Sequence, residues 1–270
     1  MILTTLQADI IRHLSANRSD SSYVAGGSVL NVDWSRQSDD IDIFHDTDEE
    51  IGGAANRDIE TLNRAGYRVS IDVEIYGCVE ATVSKNGQST TIQWMSETKT
   101  RFFPLVRDDR WGACLQKADL AVNKIIASAT RTKARDYVDL VTIAREMSPL
   151  GPLVMAAAGK PPNFSPLRIV EEIRRRGLSV HTVQYETVKG LPSDWDAATV
   201  RESLIAALAS AEQYVLSAPP ELVGLLAVDP SGIPVEIQSM TDGGISFRKA
   251  TEEPEVMPSM PDVTAGWLGS

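Results

Sequence analysis

Between Tyr23 and Asp46 the chain carries two sets of residues suited to one kind of chemistry. Gly26-Gly27-Ser28 follows a short apolar stretch, Tyr23-Val24-Ala25. Glycines at such a turn let backbone N–H groups come close to a phosphate. Further on, Asp40-Ile41-Asp42-Ile43-Phe44 alternates acidic and apolar residues. At a period of two, Asp40 and Asp42 share one face of a strand while Ile41 and Ile43 point into a core. Two carboxylates on one face are oxygen ligands for a hard divalent cation, Mg²⁺ or Mn²⁺. One half of the stretch suits a triphosphate and the other suits its metal. The bland account is a glycine turn beside an exposed edge strand with solvated acids. Paired like charges on a strand cost stability, however, unless a cation sits between them.

A second charged set lies in KADLAVNKIIASATRTKARDYVDLVTIA, which starts at Lys117 and reads as a long helix. Leu120, Ile125, Ala129, Tyr137, Leu140 and Ile143 supply its core face. Lys124, Arg131, Arg135 and Asp139 share another face if the helix is continuous. That row reads either as a solvated face with an Arg135–Asp139 pair, or as a cationic arm for a triphosphate with Asp136 or Asp139 fixing the basic groups. An isolated pair of that kind contributes only a few tenths of a kcal/mol.

Gly27-Ser28, eleven residues, then Asp40-x-Asp42 resembles the signature of the DNA polymerase beta-type nucleotidyltransferases. Asp119-Leu120-Ala121-Val122-Asn123-Lys124, Arg131, and Arg135-Asp136-Tyr137-Val138-Asp139-Leu140 resemble a second block. Together the two are similar to the nucleotidyltransferase toxins of abortive-infection, type IV toxin–antitoxin systems. The resemblance spans about Leu3 to Met147. It implies a Mg²⁺-dependent transferase that takes a nucleoside triphosphate, and toxin members act on nucleotides or tRNA. It further implies Gly26, Gly27 and Ser28 at the phosphates and Asp40 and Asp42 on the metal. Lys124, with Arg131 and Arg135, would face the triphosphate, and Asp136 or Asp139 would support them. A third carboxylate is expected on a later strand, and the matching position holds Gln93. Glutamine accepts a hydrogen bond or ligates weakly but is no base. Asp72 and Glu74 are the substitutes within reach in the sequence.

The elements that must position these groups are legible in outline. Leu6, Ile10, Ile11 and Leu14 fall at helical spacing before the first strand. After the acidic strand, Asp46 to Glu50 opens a helix that passes Gly52-Gly53 and ends at Ala65-Gly66. Tyr67 to Met95 reads as antiparallel strands with an Asn86-Gly87 hairpin turn. The expected class is therefore α+β, a mixed or antiparallel sheet with flanking helices. A mainly helical C-terminal part follows, with helices at Pro166–Gly177 and Asp196–Ser217. A small hairpin is expected from Leu225–Val228 and Ile233–Ile237 around Asp229-Pro230-Ser231-Gly232. The expected divisions are residues 1–147, 148–249 and an acidic, proline-rich tail, 250–270.

Bulk properties narrow the functional classes. A net charge of −11 opposes broad, sequence-blind nucleic-acid binding, although Arg174-Arg175-Arg176 is a local basic run. Two cysteines without metal spacing, and no long apolar run or signal-like N-terminus, suit a cytoplasmic protein with no membrane partner. His13 and His181 read as structural. Three functions fit the residues: a transferase acting on RNA, tRNA or protein, paired with an antitoxin; the same chemistry on a small molecule; or a nucleotide-binding module without catalysis.

Overall fold

The computed structural model describes residues 3–253, which form two compact units. One contains residues 3–99 and 104–117, the other residues 100–103 and 118–253. The helical segment beginning at Ala118 thus groups with the C-terminal part, whereas the sequence-based division fell at residue 147. The expected tail lies outside the described residues from 254 onward.

The first unit is built on a seven-stranded mixed sheet. Its strands are β1 (Ser22–Ala25), β2 (Asp40–His45), β3 (Arg68–Ile75), β4 (Cys78–Lys85), β5 (Gln88–Ser96), β6 (Val106–Asp108) and β7 (Gly112–Cys114). They lie in the order β3-β4-β5-β2-β1-β7-β6. β1 and β2 are antiparallel, whereas β2–β5 and β1–β7 are parallel. Helix α1 (Thr5–Leu14) buries Leu6, Ile10, Ile11 and Leu14, as its apolar spacing requires. The turn of β1 into β2 begins with α2 (Gly26–Leu30), and α3 (Asp48–Arg64) returns the chain toward β3. Helix α3 runs through Gly52-Gly53 and stops before Gly66, whose φ of +82° is open to glycine at little cost. Asn86 and Gly87, both at positive φ, close the β4–β5 hairpin.

The second unit is mainly helical: α4 (Lys117–Thr130, entering from the first unit), α5 (Ala134–Glu146), α6 (Leu150–Ala157), α7 (Pro166–Ser179), α8 (Thr182–Glu186) and α9 (Ala197–Ser217). Asp196 caps α9 by accepting from Thr199 N at 2.8 Å. Two expectations change here. The long charged helix is two helices, interrupted at residues 131–133. The Tyr137 hydroxyl lies 3.1 Å from the Arg131 carbonyl and 3.3 Å from that of Ser128, engaging carbonyls that end α4. The small hairpin also differs. β8 (Leu225–Val228) pairs antiparallel with β9 (Ser246–Lys249), and Ile233–Ile237 is no strand. Asp229 still organises the turn, accepting from Ser231 N and Ile233 N. Pro234 lacks an N–H, and only an isolated bridge joins it to Val228.

Candidate functional site

The register of β1, β2, β5 and β4 builds one row across the sheet. Ala25 lies opposite Asp42, Asp42 opposite Gln93, and Gln93 opposite Glu80. One step along, Asp40 lies beside Thr91. Ile41, Ile43 and His45 are buried on the other face. Asp40 and Asp42 therefore project together, as alternation demands. Asp40 is buried, and its Oδ1 accepts from the Ser38 hydroxyl at 3.0 Å. Asp42 is half-buried.

The glycine turn packs directly on the second acid. Gly26 has φ +71°, and a Cβ there would collide with the Asp42 carboxylate. At Gly27 the added atom would strike the guanidinium of Arg36, a buried residue whose Nη1 donates to the Gln37 carbonyl at 2.9 Å. Gly26 is thus required by both conformation and close approach, whereas at Gly27 the neighbour is the tip of the Arg36 side chain. Ser28 is fully buried, and its hydroxyl donates to the Ala25 carbonyl at 3.2 Å, bracing the turn from inside.

Supporting residues that sequence reasoning passed over appear around this core. Gln7 closes a capping box with Thr4 on α1 and is itself buried. Its Nε2 also donates to the Ser38 carbonyl at 3.0 Å and to Thr90 Oγ at 3.2 Å, tying the starts of β2 and β5 together. Arg36, Ser38 and Gln7 left only a weak trace in the sequence, because polar residues in loops and helix faces are usually solvated.

Gln93 stands in line with Asp42, and its amide donates to the Glu80 carboxylate on β4. The carboxylate next along the row is therefore Glu80. Asp72 and Glu74 lie on β3, the edge strand one position further out. Asp72 sits where the β3–β4 register shifts and accepts from the Thr82 hydroxyl at 2.6 Å. Glu74 is opposite Val79, on the buried-side alternation of β4.

The donor set can be tested against a cation. Among the described residues no group of three or more His, Cys, Asp or Glu side chains is arranged to hold a metal. Two carboxylates sharing a face beside a turn without Cβ atoms suit a cation that takes its remaining ligands from phosphate and water, which is how Mg²⁺ commonly binds. Asp40 and Asp42 fit that role.

The second charged set lies within the second unit. The Lys124 ammonium is 2.9 Å from Asp136 Oδ1 and 2.9 Å from Asp139 Oδ2. Arg131 donates to both oxygens of Asp136, from Nε at 2.8 Å and Nη2 at 3.1 Å. Both carboxylates are fully buried and Lys124 nearly so. Burial pushes the Asp136 carboxyl up, but the Lys124 ammonium and Arg131 guanidinium outweigh it and hold the group well below the usual carboxylate range. The break at residues 131–133 is what folds α5 back so that these charges meet, rather than a shared face of one helix. Arg135 is half-buried on the first turn of α5. Within the same unit Asp119 accepts from the backbone N–H groups of Phe102 and Phe103, at 2.9 and 3.0 Å. The basic run is paired locally: Arg174 with Glu212, and Arg175 and Arg176 both with Glu172.

No protein-family model matches the chain, and no curated protein does. Two solved structures are similar to it. One is MenT4, a nucleotidyltransferase toxin from Mycobacterium tuberculosis, at 14% identity and a TM-score of 0.49 over 78% of this chain and 85% of that one. The other is an H. pylori protein provisionally assigned as a nucleotidyltransferase, at 15% identity and a TM-score of 0.45 over 77% and 93%. Among the described residues no helix is long and apolar enough to cross a membrane.

Proposed function

We propose that the chain is a divalent-cation-dependent nucleotidyltransferase, moving a nucleoside monophosphate from a nucleoside triphosphate to an acceptor hydroxyl. The observation that carries this reading is the contact of Gly26 with Asp42, which joins a phosphate-compatible turn to a same-face pair of acids. Mg²⁺ or Mn²⁺ held by Asp40 and Asp42 would neutralise charge on the triphosphate oxygens. The Asp42 carboxylate and the Arg36 guanidinium lie against the Gly26 and Gly27 backbone, so metal-bound phosphate oxygens would meet an acid and a cation at the turn. Ser28 serves the turn's shape, its hydroxyl being engaged with Ala25. The acceptor hydroxyl gives its proton to water as its oxygen bonds to the α-phosphorus, the bond from that phosphorus to the bridging oxygen breaks, and pyrophosphate departs. Alignment and charge neutralisation supply most of the acceleration. The second sequence block, by contrast, folds into the Lys124–Arg131–Asp136–Asp139 cluster, whose charges pair with one another within their own unit.

The same block supports extending the proposal to a toxin restrained by an antitoxin protein, with RNA or tRNA as acceptor. A small-molecule acceptor is the second reading. It is favoured by the charge of −11 and by the pairing of all three arginines of the basic run with glutamates. Incubation with labelled triphosphates and either total RNA or a panel of small hydroxyl compounds tests both. Label transfer that falls about 10³-fold or more in Asp40→Ala and Asp42→Ala is the expected outcome. Full transfer in either variant overturns the assignment.

A further inference from the structure

We infer that Trp34 forms the wall on which the nucleobase of the bound triphosphate stacks. This rests on the proposed nucleotide site and adds the base to a reading so far concerned with phosphates and metal. Trp34 lies in the connection between α2 and β2, the two elements that carry the glycine turn and the acids. That connection is braced against the turn itself. Asn31 is fully buried, and its backbone N and side-chain Nδ2 both donate to the Gly27 carbonyl, at 3.1 and 3.0 Å. Trp34 N then donates to the Asn31 carbonyl at 2.9 Å. Two consecutive links therefore tie the Trp34 backbone to the turn.

The sheet register brings a cation to the same place. β1 and β7 run parallel with Val24 beside Cys114, and Leu115 N donates to the Val24 carbonyl at 3.2 Å. Lys117 follows just beyond that end of the sheet, where β1 gives way to Gly26. Its ammonium is 2.7 Å from Asp33 Oδ2 and 5.3 Å from the centre of the Trp34 ring. The pair with Asp33 and the cation–π contact hold loop and indole in one orientation.

The degree of burial separates this tryptophan from others of the same unit. Trp94 and Trp111 are wholly buried and fill the core. Trp34 is only half-buried although backbone hydrogen bonds at Asn31, Val32 and Trp34 tie the start of its loop. A large aromatic surface fixed in place yet left partly in water is what a base-stacking platform requires. Every base has a π-face, so stacking of this kind tolerates all four bases and favours the larger purines.

Calorimetric titration with Mg²⁺ separates the parts. Four nucleoside triphosphates and inorganic tripolyphosphate are titrated into the wild type, Trp34→Ala, Trp34→Phe and Asp42→Ala. Circular dichroism verifies that each variant is folded. The expected result is a roughly ten- to hundredfold weaker Kd of Trp34→Ala for all four triphosphates. Its tripolyphosphate affinity should be unchanged, and Trp34→Phe should regain most of the loss. Binding that depends on Asp42 but ignores Trp34→Ala overturns the stacking role and leaves the nucleotide site standing. An equal loss for tripolyphosphate overturns it too, since the effect is then on the turn. Absence of triphosphate binding to the wild type removes the site and the inference together.

Discussion

Asp40 and Asp42 in the first unit and Asp136 and Asp139 in the second are both pairs of acids close in sequence, but they are placed and buried differently. The first pair is set by strand alternation, with β1 and β5 on either side, and Asp42 remains half-buried beside a glycine. The second pair is fully buried and clasped by Lys124 and Arg131 from the preceding helix and the turn after it. Two cations meet two carboxylates there, so the group is close to neutral as it stands. Acids placed by strand register, one of them half-buried, can turn an oxygen toward a ligand. Acids sunk fully out of water among the cations of their own unit hold a fold together.

The largest effect that could break this contrast is the loss of transfer in Asp42→Ala, which should leave the thermal midpoint within a few degrees of wild type. In the second unit the outcome should reverse. Lys124→Ala leaves two buried carboxylates short of a partner and should cost about 3–5 kcal/mol in urea unfolding. If Lys124→Ala proves as stable as wild type, the clasp is not structural and the contrast fails.

A pH titration sharpens the same point on the buried side of β2. His45 is buried, and neither ring nitrogen makes a hydrogen bond to a described residue. Burial lowers its pKa from the ordinary 6.5 to about 4, and the Arg18 guanidinium nearby adds to that. Because the folded value lies below the unfolded one, the neutral ring's contribution is complete above pH 6.5 and is lost as pH falls toward 4. The loss should reach about 3 kcal/mol at the acid end. Urea midpoints of wild type and His45→Leu across pH 4–7 should diverge in slope, and parallel curves would rule this out.

The smallest expected change concerns the turn. Gly26→Ala places a Cβ at φ +71° and against Asp42, which should destabilise by about 1–3 kcal/mol and weaken Mg²⁺-dependent nucleotide binding. Binding and stability equal to wild type would show that the close approach is dispensable.

Much of the first unit was legible because its signals are local. The Asp40–Ile43 alternation, the Asn86-Gly87 turn and the helix ending at Gly66 each follow from neighbouring residues, and the structure has them where the pattern put them. The continuous charged helix was misread because residues 131–133 contain no glycine or proline to mark a break. It is Tyr137, six residues beyond Arg131, that engages the carbonyls there. The hairpin partner of Leu225–Val228 was missed for a similar reason. The turn at Asp229 is plain in the sequence, but the strand that pairs arrives from Ser246–Lys249.

What the residues alone determined about this protein is which side chains share a face and where the chain turns, because a period of two or 3.6 and the φ of glycine are properties of a few bonds. Tertiary structure decided that Glu80 holds the Gln93 amide and that Lys124 reaches both Asp136 and Asp139. Those relations depend on strand order and on how a helix folds back. They are set by burying a whole core at once, and no short stretch of sequence encodes them.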